Sequence, residues 1–114
     1  MARKANPETD FTVNVEGVGN FTFARRTMAD EFAIQRKFAE LAGGSDHTDW
    51  LSMVGGWVAS LTVLTVRAPD GWDISDMDPL DEEVYANLSR VHQALRDKED
   101  SFRSQRGKGS EAGS

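Results

Sequence analysis

Five aspartates crowd one short stretch of this chain, Asp70, Asp73, Asp76, Asp78 and Asp81. Carboxylates at that density are the side chains that hold a hard divalent cation. A calcium loop, however, needs oxygen donors at alternate positions around an invariant glycine, and the spacing here is mostly three. Helix capping plus a solvated loop accounts for the series, so no metal site is read from it. His47 and His92 have no partners at ligand spacing and read as surface histidines. Gly17-Val18-Gly19 is not followed by a helix carrying further glycines, which removes a phosphate-cradling loop. With no cysteine there is no disulfide framework, thiolate nucleophile or zinc-thiolate site. No serine, histidine and carboxylate arrangement suggests a nucleophile. The reactive side chains yield no catalytic, cofactor-binding or metal-binding set. The chain is read as a non-enzyme that works through a binding surface.

The candidate surface lies between Trp50 and Pro79. Seventeen uncharged residues run from Trp50 to Val66, break at Pro69-Asp70-Gly71, and give way to an acidic loop holding Trp72. A membrane span needs about 20 apolar residues. This run is interrupted by Ser52, Gly55, Gly56, Ser60, Thr62 and Thr65, and Asp46 and Asp49 precede it. A buried helix is the better reading. Trp72 sits in a loop between charges, where tryptophan is either a lid over the core or an interface anchor. As an anchor it would act with Ile74 and Met77, while Asp73 and Asp76 select a basic partner face. Ser52, Gly55, Gly56 and Ala59 form a small-residue back to the apolar helix, and are read as a self-association face that makes the chain a homo-oligomer.

Elements must position these groups. Phe11-Thr-Val-Asn-Val15 and Phe21-Thr-Phe23 alternate apolar and polar around Gly17, Gly19 and Asn20, which predicts a β-hairpin with its Phe/Val face inward. A first helix begins at Thr27, capped with Asp30, and ends at Gly43-Gly44. Its inward arc is Met28, Phe32, Ile34, Phe38, Leu41 and Ala42, with Arg36, Lys37 and Glu40 opposite. A second starts among Ser45, Asp46 and Thr48 and turns Trp50, Leu51, Met53, Val54, Trp57, Val58, Leu61 and Leu64 to one wide face. The 3/4 spacing carries it through Leu61–Val66, against a competing strand reading from the β-branched residues there. A third is capped by Asp78 with Pro79 at its first position and buries Leu80, Val84, Leu88, Val91, Leu95 and Phe102. The fold class is α+β, mainly α-helical, as one domain over 10–103 between a flexible 1–9 and a disordered 104–114.

Net charge excludes further partners. At 114 residues and −6 the chain is acidic, and Arg103, Arg106 and Lys108 are too sparse to make a nucleic-acid stripe. MARKANPETD has charges with no apolar run behind them, so no signal peptide is read and a cytoplasmic protein is the simplest case.

The hairpin, the helix ending in Gly-Gly and the Trp-led apolar helix form a familiar sequence of elements. They are joined by Leu61-Thr-Val-Leu-Thr-Val-Arg-Ala-Pro-Asp-Gly-Trp-Asp73, the Asp76-Met-Asp-Pro79 cap and Leu95-Arg-Asp-Lys-Glu-Asp-Ser-Phe102. Over roughly residues 10 to 103 they resemble the tail assembly chaperones of long-tailed bacteriophages. The resemblance implies a soluble, often self-associating protein of the bacterial host cytoplasm, not expected in the mature virion. Its partners would be the tape measure protein and the tail tube protein that polymerises around it, and it brings no catalytic residues or cofactor. Some members of that family are also made in a longer, frameshifted form. The alternatives are a structural tail or head-tail joining protein that stays in the virion, or a small acidic protein-binding regulator.

Overall fold

A computed structural model of the chain describes the backbone of residues 3–44 and 46–112, and the side chains of residues 3–44 and 46–103. Three helices and a three-stranded antiparallel sheet make an α+β, mainly helical fold. Strands β1 (Phe11–Val15) and β2 (Gly19–Phe23) pair with Phe11 opposite Phe23 and Val13 opposite Phe21. Gly17 and Gly19 carry φ of 81° and 138° in the connecting turn, where a Cβ would be strained. Asn20 needs no such freedom and instead accepts from the Asn14 amide at 2.7 Å on the outer face. The inner face falls as the alternation predicts: Val15, Phe21 and Phe23 are buried, with Phe11 and Val13 packed against them.

Helix α1 (Met28–Ala42) has the capping box read from its sequence. Thr27 Oγ1 accepts from the Asp30 amide, and the Asp30 carboxylate accepts from the Thr27 amide. Gly43, at φ 58°, closes the other end by donating to Ala39 O. Its buried stripe is Asp30, Ile34 and Ala42, with Phe38 partly covered. Met28 and Phe32 are exposed, against expectation. At 100° per residue they lie about 120° and 160° around the wheel from Ile34, so they face away when that stripe meets a single neighbour. Leu41 is half exposed in the last turn.

That neighbour is helix α2 (Asp49–Leu64), whose cap is Thr48, accepting from the Leu51 amide at 3.1 Å. Its orientation corrects the wide-face reading. Trp50 and Met53 stand half in solvent, while Gly55, Ala59 and Ser60 are buried with Val54, Leu61 and Leu64. A Cβ built on Gly55 would come within 3.1 Å of the Phe38 ring, so the small residues serve the α1–α2 approach. α2 stops at Leu64. Thr65–Arg67 become β3, antiparallel to β2, rather than continuing the helix. The β-branched propensity of Thr65 and Val66 prevails because the edge of β2 is there to pair with.

A single 3-10 turn (Ile74–Asp76) follows, and helix α3 (Glu82–Ala112) begins later than Asp78-Pro79 predicts. Asp78 accepts from the Leu80 amide in a separate turn, and Asp81 accepts from Glu83 at the helix start. Leu80 is thereby removed from the seam and left 90% exposed. The rest of the seam holds: Leu88, Val91 and Leu95 are buried, Val84 packs beside them, and Phe102 meets the Phe11 ring edge-on at 5.1 Å. The side chains from Ser104 onward, on which the expectation of an unpacked tail bears, lie outside the described residues. In the N-terminal segment Arg3 pairs with Asp30 and reaches Val63 O.

Candidate functional site

The loop between β3 and α3 holds the sequence-predicted anchors. Trp72 stands edge-on to Phe21, with ring centroids 5.0 Å apart, and Ile74 and Met77 pack against the same core. Trp72 and Ile74 wall an open cleft of about 280 Å³ whose other side is Leu61, Thr65, Val66 and Ala68. Asp73 accepts from the Ser75 amide and so caps the 3-10 turn, while Asp76 is exposed. With Asp78 and Asp81 also on backbone amides, three of the five aspartates do capping work. The Thr65 hydroxyl is buried at this cleft and has no hydrogen-bond partner among the described residues.

The small-residue set is divided. Gly55 is closed over by Phe38 of α1 and Ala59 is fully buried, whereas Ser52 and Gly56 stay partly open on a groove of about 330 Å³ between α1 and α2, floored in part by Ala59, with Ile34, Gln35 and Phe38 across from them. Away from the groove lining the helices leave large apolar side chains in solvent. Trp50 and Met53 lie three apart at the start of α2, Leu41 ends α1, and Met28 and Phe32 lie four apart at its start. Asp46 and Asp49 stand next to Trp50 in the chain and are exposed.

Charged side chains converge elsewhere without any local signal in the sequence. Arg26, between β2 and α1, makes two hydrogen bonds to Glu99 of α3 at 3.0 and 3.1 Å and one to Glu31 at 2.9 Å. Arg96 approaches Glu99 from its own helix at 3.4 Å. Gln35 and Arg26 together hold the Glu31 carboxyl below its ordinary pKa. Burial opposes ionisation of Asp30, but the Arg3 guanidinium and the Thr27 amide and hydroxyl outweigh it, so this carboxyl also titrates below its usual range. His92 is not the surface histidine read from the sequence. It is half-buried beside Trp57, with ring centroids 6.4 Å apart, and desolvation, then Arg96 and Arg26, depress its pKa. His47 is exposed, edge-on to Phe38 at 5.2 Å.

No protein-family model, curated protein or solved structure matches the chain. Among the described residues, no helix is long and apolar enough to cross a membrane, and no group of three His, Asp or Glu side chains is placed to hold a metal ion. What the surface offers chemically is exposed apolar side chains on an acidic chain.

Proposed function

We propose that the chain is a tail assembly chaperone of a long-tailed phage, a binding protein of the host cytoplasm rather than an enzyme. It holds an amphipathic helix of the tape measure protein until tail tube subunits polymerise around it. The observation that carries this reading is the set of large apolar side chains left in solvent on α1 and α2, Met28, Phe32, Leu41, Trp50 and Met53, on a body of net charge −6. Large apolar side chains exposed in groups mark docking faces, and here they form two, Met28 with Phe32 and Trp50 with Met53. Trp50 and Met53, three apart in the first turns of α2, suit the apolar stripe of a partner helix. The exposed carboxylates of Asp46 and Asp49, next to Trp50 in the chain, favour a lysine- or arginine-bearing partner face. In this reading Trp72, Ile74 and Met77, packed against the core, act as a lid rather than as partner anchors.

Co-purification with the tape measure protein tests the reading. Trp50→Ser combined with Met53→Ser should weaken capture about 30-fold, the scale of a single 2 kcal/mol hot spot. The melting point should fall by less than capture does, because both side chains already stand half in solvent. Unchanged capture would remove this face as the site. Peptide mass analysis of purified virions separates the chaperone from a joining protein: the chaperone is absent from finished particles, and stoichiometric peptides of this chain there would overturn the proposal.

A further inference from the structure

The charged side chains gathered around Phe102 do not balance. Arg25, Arg26, Arg96 and Arg103 line a cleft of about 200 Å³ with Phe102 on its wall, and the carboxylates lining it with them are Glu99 and Asp100. Arg96 and Arg103 are seven apart on α3, two turns along one face, while Arg25 and Arg26 arrive from the link between β2 and α1. Glu31 accepts one bond from Arg26, and Lys98 stands 5.8 Å from the Phe102 ring. Five cations thus meet three carboxylates, an excess of two on a chain whose net charge is −6. Holding like charges together costs Coulomb energy that an anion in the cleft would offset.

These cations are not equally committed. Arg26 gives two hydrogen bonds to Glu99, and Arg96 reaches the same carboxylate at 3.4 Å, so Glu99 is occupied by these two. Arg25 is exposed, lies over the Phe102 ring at 4.0 Å and, among the described residues, pairs with no carboxylate. Stacking on the ring holds its guanidinium in place and leaves the N–H donors at its edge free. Arg103 has only Asp100, at 3.8 Å and so beyond hydrogen-bond length, and its side chain is 78% exposed. The positive field reaches past the cleft: after desolvation, Arg96 and Arg26 are what depress the pKa of His92, despite the carboxylate of Glu99 between them.

We propose that this cleft is an oxyanion site that takes a phosphoryl group, with Arg25 and Arg103 donating to its oxygens and Arg96 adding charge behind them. A guanidinium fork matches phosphate and carboxylate alike. Charge decides between them: a phosphoryl dianion matches the excess of two, whereas a single carboxylate leaves one cation uncompensated. The cleft is smaller than the roughly 300–1,000 Å³ of sites that enclose drug-sized ligands, so a larger molecule enters by a phosphate end. The shared chemistry is therefore that of free inorganic phosphate and of the terminal phosphate of a nucleotide. The site includes none of the exposed apolar side chains of α1 and α2 and none of the loop cleft, and so stands or falls independently of the tail-assembly reading.

Two-dimensional amide NMR titration of the full chain tests it, with sodium phosphate, diphosphate and ATP as probes at an ionic strength held constant with sodium chloride. Saturable shifts should centre on Arg25, Arg96, Phe102 and Arg103. ATP binding no tighter than diphosphate marks a free-phosphate site, and ATP binding tighter marks the phosphate end of a nucleotide. The double variant Arg25→Gln/Arg103→Gln should weaken binding at least tenfold, while Arg36→Gln, outside the cleft, leaves it unchanged. Asp100→Asn removes the carboxylate that competes for Arg103 and should tighten binding several-fold, a gain that misfolding does not produce. The melting point of the unaltered chain should climb with phosphate and not with chloride at equal ionic strength. Shifts that do not saturate or that chloride reproduces, acetate binding as tightly as phosphate, or an affinity indifferent to the Arg25/Arg103 and Asp100 substitutions would each overturn the proposal.

Discussion

Replacing Trp72 by alanine distinguishes a lid from a binding anchor. The indole is mostly covered, stands edge-on to the fully buried Phe21 at 5.0 Å, and walls the cleft over Leu61 and Val66. A tryptophan hides 150–250 Å² when buried, so losing about 150 Å² at about 25 cal/mol per Å² removes about 4 kcal/mol. The edge-to-face contact adds about 1 kcal/mol, and collapse of the loop onto Phe21 returns part of the total. The net expectation is a loss of about 3–5 kcal/mol, comparable with other tryptophan truncations. For a domain whose whole stability is on the order of 5–15 kcal/mol, that moves the urea midpoint by a large fraction of its value. Urea melts followed by far-UV circular dichroism measure it, with Trp72→Phe as the milder companion that keeps an aromatic edge on Phe21. Partner capture by the variant should then fall only in step with the folded fraction. A loss under about 1 kcal/mol, small against core truncations, together with abolished capture would refute the lid assignment and return Trp72 to the interface.

The two glycines of α2 should respond oppositely to alanine. At Gly56 the added Cβ meets open space and the helix gains about 0.5–1 kcal/mol, whereas at Gly55 it presses on the Phe38 ring at 3.1 Å and overpacking turns the gain into a loss of about 1 kcal/mol; thermal melts of both settle it. Glu99→Ala strips the carboxylate from Arg26 and Arg96 and should cost about 1–3 kcal/mol in denaturant melts, an effect that Glu40→Ala, on an exposed surface pair, should not reproduce. His92 adds a pH dependence. Its pKa is depressed in the fold by burial, so the unfolded imidazole takes up its proton near the ordinary 6.5 while the folded one does so lower. Stability should be level above that value, fall as pH drops from 6.5 toward the folded pKa, and level again below it. His92→Gln should flatten that segment in melts between about pH 7.5 and about pH 5.

Local chemistry was legible in the chain itself. Period-two alternation located Phe11–Val15 and Phe21–Phe23, Thr27 with Asp30 announced the start of α1, Gly43 marked its end, and Leu88, Val91 and Leu95 declared their seam. Each depends on neighbours within about four residues, the range over which backbone geometry and side-chain period act alone. Tertiary structure decided everything that needed a second element. A helical wheel gives angles but not which arc meets a partner, and so Met28 and Phe32 came out exposed and Gly55 and Ala59 buried. Thr65 and Val66 could extend a helix or a sheet, and the free edge of β2 made them strand. Asp78-Pro79 has the residues of a helix start, yet Asp81 takes the cap and the displaced turn pushes Leu80 into water. The Arg26–Glu99 and Arg3–Asp30 pairs join residues 73 and 27 positions apart. Charge carries no periodicity that foretells such meetings, because a long flexible side chain selects its partner only after packing has fixed where the backbones lie.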